Sequence, residues 1–294
     1  MSSRTKPSFF AQRIRQWGVK AGCHALSLPV AASCVFPLVW MLSSSLKTQQ
    51  TVFRDFRLIP TSPHLENYLA AWTKGHFGVY FLNSLLYTGA IVFGVVAFAA
   101  LAAYAISRLP FRGSQTIYII LIATMLIPVP GAFIALYVLL TKLGLIDIGT
   151  GQLLPRLGYV LPQINGGLPL GIFILKTFFD KIPYELEESA KIDGCGTFGV
   201  FWHIMLPLAR PALAVVVIFT TLSAWNEFLL AFLVFSRHEL MPLQRGLLIF
   251  QGAHLTDYPL LMAGMVITVL PVVAMYLMMH RHLIRGIIAG ALKA

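Results

Sequence analysis

Residues 182–207 of the chain read IPYELEESAKIDGCGTFGVFWHIMLP. Together with Asp180, this polar stretch holds five of the eleven acidic residues, and it interrupts a chain that is otherwise strongly apolar. Glu187 and Lys191 lie four residues apart, in the order that supports a helix by ion pairing. The stretch is therefore predicted to form an amphipathic helical hairpin between two membrane spans.

Turn and cap residues divide this stretch into helix, turn and helix. Pro183 suits the first position of a helix, because the N–H that proline lacks has no partner there. Asp193 and Gly194 end this first helix, since glycine readily adopts the left-handed conformation that closes many helices. Thr197 is predicted to cap the second helix, and Pro207 to close it.

The same stretch resembles a loop motif of bacterial ABC importer permeases. That motif is Glu-Ala-Ala, three residues, Gly, nine residues and then Ile-x-Leu-Pro. Here residues 188–190 (ESA) are followed by three residues, Gly194, nine residues and residues 204–207 (IMLP). Every spacing matches, and only Ser189 departs from the pattern. The surrounding residues most resemble the carbohydrate-uptake branch, in particular its maltose-type second permease subunit.

This resemblance implies a mechanical role with several partners. In the related importers two homologous permease chains form the pathway, two ATPase subunits bind ATP and magnesium, and an extracytoplasmic binding protein delivers the solute. The loop of each permease, called the EAA or coupling loop, sits in a cleft of one ATPase subunit. Leu186, Ala190 and Ile192 would form its apolar seat. Glu188 would make a polar contact with the ATPase, and Gly194 would supply a tight turn. The ATPase-coupling residues implied in this way are Leu186, Glu187, Glu188, Ser189, Ala190, Ile192, Asp193, Gly194, Ile204, Leu206 and Pro207.

The composition places the chain in a membrane. Hydrophobic residues make up 57% of the 294 residues and charged residues 11%, against about 25% charged in an average soluble domain. The net charge of +11 does not indicate nucleic-acid binding, because no basic cluster is interleaved with aromatic residues. Lys and Arg collect on the cytoplasmic side of membrane proteins, and 14 of the 22 fall in the termini and in two alternate loops. The three cysteines are predicted to form no disulfide.

Six apolar runs are predicted to span the bilayer. A helix needs about 20 residues to cross roughly 30 Å of hydrocarbon, and each run comes close to that length. The first run is too long for the core of a signal peptide, about 7–15 residues. Pro128 and Pro130 interrupt the third run, which indicates a kinked or broken helix. The predicted spans are residues 21–46, 81–107, 114–141, 157–179, 211–235 and 258–279.

Six spans put both termini on one side, and the charge bias makes that side cytoplasmic. By resemblance to the same family, residues 236–257 form a loop that reaches towards the binding protein, and residues 286–294 enter the ATPase interface. The predicted organisation is a cytoplasmic N-terminal segment (1–20) and a six-span domain (21–294), with a coupling loop at about 180–210 and a cytoplasmic C-terminal tail at about 281–294.

Polar and aromatic residues in the apolar runs are candidates for a substrate pathway, because polar groups at membrane depth usually line protein or water. For Gln163 and Asn165 the alternative is a loop outside the bilayer, with the span starting near Leu168. For Glu227 the alternative is a structural hydrogen bond inside the bundle or at its outer mouth. Each of the others could equally be packing. The candidates are Tyr137, Gln163, Asn165, Trp225, Asn226 and Glu227.

The sequence carries no pattern for catalysis by this chain. Residues 194–199 match a dinucleotide-binding glycine pattern, but they follow a predicted helix and not a strand. No phosphate-binding loop and no zinc-binding His-Glu-x-x-His is present. We therefore predict no catalytic, cofactor or metal residues, and expect ATP hydrolysis in separate subunits.

The combined prediction is an all-α integral membrane protein with six transmembrane helices, of the type I ABC importer permease fold, in a bacterial cytoplasmic membrane. Its expected partners are a second permease chain, two ATPase subunits, an extracytoplasmic binding protein, membrane lipid and a sugar. Within the class, the alternative solutes are glycerol phosphate or a polyol. From another class, an ion-coupled transporter would carry midplane acids, and only Glu227 points that way.

Overall fold

The computed structural model describes residues 9–127, 129–149, 151–252 and 256–291, and throughout these ranges the helix is the dominant element. The all-α prediction is confirmed. One isolated antiparallel bridge joins Gln251 to Thr256. The helices are α1 (Phe9–Ser45), α2 (Glu66–Lys74), α3 (Phe77–Arg108), α4 (Ser114–Ala123), α5 (Val129–Lys142), α6 (Leu153–Phe179), α7 (Glu185–Ile192), α8 (Thr197–Val200), α9 (Leu206–Leu208), α10 (Arg210–Trp225), α11 (Leu229–Val234), α12 (Leu243–Gly246) and α13 (Tyr258–Ala291).

Four of the described helices are long and apolar enough to cross a membrane, namely α1, α3, α6 and α13. A fifth span is reached if residues 197–208 and α10, bent by 75° at Ala209, count as one. Two shorter apolar helices, Ser114–Leu126 and Ala132–Lys142, occupy the predicted third span. The described chain thus holds four or five single spans, where six were predicted.

The third and fifth predicted spans are each divided in two. Ile127 is extended, with φ −74° and ψ 120°, because the residue before a proline is held out of the helical conformation; the predicted break is confirmed. The run 211–235 was predicted as one helix, but α10 ends at Trp225 and α11 starts at Leu229. A carboxylate oxygen of Glu227 accepts the N–H of Leu230 at 2.8 Å, and so caps the new helix.

Both predicted terminal segments are largely helical. Helix α1 begins at Phe9 inside the segment predicted as 1–20, and residues 1–8 lie outside the described part. Helix α13 continues to Ala291, so most of the predicted tail 281–294 is an extension of the last span. Residues 292–294 lie outside the described part.

Helices α3 and α6 form the centre of the bundle. A Cβ on Gly94 would lie 2.5 Å from the side chain of Ile164, and one on Gly171 would lie 2.9 Å from Ala99. Glycine at these positions lets the two helices approach closely. Helix α6 is continuous from Leu153 to Phe179, so Gln163 and Asn165 lie on a helix and not in a loop.

Candidate functional site

The segment predicted as the coupling loop, residues 180–210, forms a helical hairpin. Helix α7 ends at Ile192, Asp193 is its C-cap, and Gly194 follows with φ +87°. The N–H of Cys195 donates to the carbonyl of Ala190 at 2.9 Å, and the N–H of Gly194 donates to that of Lys191 at 3.1 Å. These two bonds form a glycine-dependent helix stop, so the predicted turn is confirmed.

The other predicted helix boundaries are displaced by a residue or more. Pro183 lies two residues before α7. Gly196, not Thr197, is the cap of α8, and its carbonyl accepts the N–H of Val200 at 3.0 Å. Pro207 lies within α9, and the bend comes after it, at Ala209.

One face of α7 is buried against the rest of the chain. Glu187 and Ala190, three residues apart, are 4% and 6% exposed. The carboxylate of Glu187 lies 3.1 Å from Nε of Arg108, at the end of α3, and both side chains are almost completely buried. The sequence predicts a pair between Glu187 and Lys191, but in the structure Glu187 pairs with Arg108. Ala190, predicted as part of the apolar seat, is packed inside the chain.

Arg108 is bound to this segment at several points. Its guanidinium donates to the carbonyl of Phe179 and, at 2.5 Å, to that of Ile182. It also lies over the ring of Tyr184, 4.2 Å from the centroid, a cation–π contact. The last turn of α3 thus holds the end of α6, the following turn and α7 together.

Two more residues of α3 strengthen this attachment. The hydroxyl of Ser107 donates to the carboxylate of Asp180 at 2.5 Å. The hydroxyl of Tyr104 donates to the carbonyl of Thr197 at 3.2 Å. Sequence reasoning missed these residues and Arg108, because each lies more than seventy positions from its partner.

The other face of the loop is open and largely apolar. Ile192 is 86% exposed and Leu186 44%, and Glu188 is exposed beside them. Phe198 and Trp202 are exposed too, and their rings stack with centroids 6.3 Å apart. Sequence reasoning missed this aromatic pair, although its four-residue spacing predicts one helix face. Exposed large apolar groups of this kind mark interaction surfaces.

The remaining coupling candidates lie at the edges of this surface. Ser189 is exposed, and its hydroxyl donates to the carbonyl of Glu185 at 2.8 Å. Asp193 and Gly194 are exposed at the turn. The three coupling candidates from the end of the motif are half-buried: Ile204, Leu206 and Pro207.

A cavity of about 330 Å³ lies between α3, α5, α6, α10 and α11. Two of the six predicted pathway residues, Gln163 and Glu227, line it. Thr220 and Ser223 add hydroxyl groups, while most other lining residues are apolar. Such a cavity, apolar with a few convergent polar groups, is the usual form of a small-molecule site.

The other predicted pathway residues do not line this cavity. Tyr137 and Asn165 are exposed. Trp225 is buried, and its indole N–H donates to the carbonyl of Thr268 at 3.2 Å, so it connects α10 to α13. Asn226 is exposed and accepts a bond from the Gln244 amide at 3.3 Å. Glu227 was predicted as a pathway residue or as a structural hydrogen bond, and it fits both interpretations, because it caps α11 and lines the cavity.

In the loop 236–257, residues 238–243 contact the end of α3 opposite the coupling loop. Its start is held by Asp147, whose carboxylate accepts the N–H groups of Ser236 at 3.1 Å and Arg237 at 2.7 Å. The Arg237 side chain also pairs with Asp147 at 2.7 Å. Burial lowers the pKa of Arg245 in this loop.

The fold defines a helical, multi-pass membrane protein with an exposed, largely apolar loop surface at one end of the bundle. Residues 90–288 match the family described as binding-protein-dependent transport system inner membrane component. The chain belongs to this family of membrane permeases.

Curated relatives match nearly the whole chain. A diacetylchitobiose uptake system permease protein of Streptomyces coelicolor is 32% identical over 92% of this chain and 88% of its own length. A trehalose/maltose transport system permease protein of Thermococcus litoralis is 32% identical over 90% and 93%. A crystal structure of a bacterial ABC transporter that imports alginate superposes with a TM-score of 0.76, covering 94% of this chain and 99% of that one at 23% identity. That structure supports the fold.

Proposed function

We propose that this chain is a permease subunit of an ATP-driven importer that translocates a sugar or oligosaccharide delivered by an extracytoplasmic binding protein. The observation that carries the proposal is the coupling loop, with one face locked to the bundle and the other open. Relatives named for diacetylchitobiose and for trehalose and maltose support a saccharide.

The open face of the coupling loop suits an ATPase cleft. Leu186 and Ile192 offer apolar contact, the stacked Phe198 and Trp202 extend it, and Glu188 adds a charge at its edge. ATP and magnesium would be bound by the two partner ATPase subunits. The distribution of Lys and Arg supports a cytoplasmic position for this loop and for both termini.

The cavity suits a neutral solute. Of the described residues that line it, none is Lys or Arg, and Glu227 is the one carboxylate among them. An anion such as glycerol phosphate would need cations or convergent N–H donors at this place. A second, homologous permease chain would complete the pathway.

Affinity capture from the native membrane tests the proposal. A tag on this chain should recover an ATPase with a phosphate-binding loop, a second multi-span permease and a solute-binding protein, and the eluate should hydrolyse ATP. A chain recovered alone, without ATPase activity, would refute the importer. Uptake that stops on addition of a proton uncoupler while ATP is maintained would favour the ion-coupled alternative.

A matched pair of variants tests the pathway. Gln163→Leu removes an amide from the cavity wall, whereas Asn165→Leu removes one from an exposed position two residues away. Uptake should slow in the first variant and stay near the wild-type rate in the second. Equal rates in both would remove the cavity from the pathway.

A further inference from the structure

Helix α3 is bonded at its first turns to the loop 236–257. Tyr80, Asn83, Ser84 and Tyr87 are spaced so that they share one face of the helix. Their contacts are Tyr80 Oη with His238 Nδ1 (3.0 Å), the Asn83 amide with the carbonyls of Glu239 (2.8 Å) and Met241 (3.1 Å), Ser84 Oγ with the N–H of Leu243 (2.7 Å), and Tyr87 Oη with the carbonyl of Leu240 (2.9 Å).

The last turns of the same helix are bonded to the coupling loop. Tyr104, Ser107 and Arg108, again on one face, reach Thr197, Asp180 and the buried Glu187. Residues 89–103, between the two bonded ends, are Gly, Ala, Val, Ile, Leu and Phe. The polar contacts of α3 to these two loops are therefore concentrated at its ends.

The helix between these ends is suited to move as a unit. Its 32 residues extend about 48 Å at 1.5 Å per residue, enough to cross a bilayer. Of the four described helices that are long enough to span, α1, α6 and α13 contain internal proline and α3 contains none. Proline is the commonest cause of a sharp kink, so α3 is the span with the fewest places to bend.

We infer that α3 is a transmission strut, which passes displacement of the loop 236–257 to the coupling loop. The inference rests on the proposed function, because that function places the ATPase at the coupling loop and the binding protein on the other side of the membrane. The loop 236–257 contacts the end of α3 that lies on that other side. Binding-protein contact at residues 238–243 then shifts α3, and the ion pair at Arg108 carries that shift to α7. Asn83 and Glu187 are positioning residues in this scheme, since neither needs to touch a partner.

The test measures ATP hydrolysis by the captured complex against increasing concentration of the binding protein recovered with it, loaded with its sugar. Asn83→Leu keeps the side-chain size and removes both bonds to the loop. Asn67→Leu is the matched control, because that amide on α2 also donates to two backbone carbonyls, those of Ser45 at 2.8 Å and Lys47 at 2.9 Å, which lie at and just after the end of α1.

A strut predicts a specific kinetic change. Loss of one buried hydrogen bond shifts an equilibrium about fivefold, and Asn83→Leu removes two. The maximal stimulation of ATPase activity should therefore fall at least about fivefold in this variant. The half-saturating concentration of binding protein should stay within about twofold of wild type, because docking itself is intact. Asn67→Leu should behave as wild type.

The two ends should also prove to be coupled. If Asn83 and Glu187 act through one strut, the double variant Asn83→Leu/Glu187→Gln should lose no more stimulation than the worse single variant. Independent effects would multiply instead. Should Asn83→Leu fail to assemble, Tyr87→Phe is tested against Tyr68→Phe, whose hydroxyl bonds Ser45 at 2.6 Å and not the loop.

The outcomes separate this inference from the proposed function. If the wild-type complex captures no binding protein, the proposed function and the strut are both refuted. The same holds if the binding protein does not stimulate the ATPase activity of the wild-type complex. A stimulated wild type with an unchanged maximum in Asn83→Leu would refute the strut alone. A raised half-saturating concentration with an unchanged maximum would make Asn83 a support of the docking surface and would also overturn the inference.

Discussion

Replacing Arg108 with methionine should release the coupling loop from the bundle. The substitution removes the charge that pairs with Glu187, two bonds to backbone carbonyls and the contact over Tyr184. It also leaves the carboxylate of Glu187 in a site where that side chain is 6% exposed. The damage should therefore be local to the attachment of α7.

The size of the effect follows from burial. Removing one partner of a buried ion pair costs about 3–5 kcal/mol, because the other charge stays desolvated. About 3 kcal/mol is roughly a hundredfold in an equilibrium constant. Glu187→Gln should cost less, about 1–2 kcal/mol, since Arg108 keeps its hydrogen bonds to the carbonyls of Phe179 and Ile182. The double variant Arg108→Met/Glu187→Met should recover much of the loss, because apolar replacements of a buried pair are often near neutral.

Limited trypsin cleavage of the solubilised complex measures this opening. Lys181 and Lys191 are exposed at either end of α7, and cleavage there follows the open population when opening is fast. Lys176→Met is the control, because its pair with Asp180 is more exposed and joins neighbouring turns of one helix; such a pair contributes about 0.3–0.5 kcal/mol. Equal cleavage rates in Arg108→Met and Lys176→Met would refute the reasoning.

Three further predictions concern backbone turns and anchors. Gly194→Ala should destabilise α7 by about 1–2 kcal/mol, the cost of a left-handed residue with a Cβ, with a smaller loss for Asn, and Gly194→Asp should leave the chain inserted but lower uptake per ATP hydrolysed. Gly158→Ala should lower the thermal stability by about 1–3 kcal/mol, because the new Cβ would lie 2.0 Å from a carbonyl oxygen. Gly166→Ala, on the same helix, should be neutral or stabilising, because its Cβ would meet nothing within 4 Å. Asp147→Asn should increase amide exchange in the loop 236–257, as charged hydrogen bonds worth about 1.5–3 kcal/mol weaken; unchanged exchange would contradict this anchor.

The sequence predicts the coupling loop well because its signals are local. A helix stop depends on the conformation of one residue, so Gly194 could be placed from its neighbours alone. The motif spacing then supplied the family, which the match over residues 90–288 confirms. What the sequence could not supply is the side of α7 that faces the bundle, since this depends on Arg108, 79 positions before Glu187.

The substrate pathway was predicted less well, for a related reason. Polarity identifies residues that are costly in lipid, but it does not distinguish a cavity wall from an exposed helix face or a structural bond. Gln163 and Asn165 are two positions apart on α6, about 200° around the helix, so one lines the cavity and the other is exposed. Trp225 satisfies its indole N–H inside the bundle and does not line this cavity.

The same geometry explains why two neighbouring glutamates have opposite environments. Glu187 and Glu188 are about 100° apart on α7; one is buried on Arg108 and the other faces out. The departure from the family motif falls on Ser189, where the hydroxyl is exposed and returns to the carbonyl of Glu185. At the buried position of Ala190 a serine hydroxyl would need a partner inside the core. In this chain the motif therefore combines an inner face that fixes the loop with an exposed outer face, and its serine lies on the exposed face.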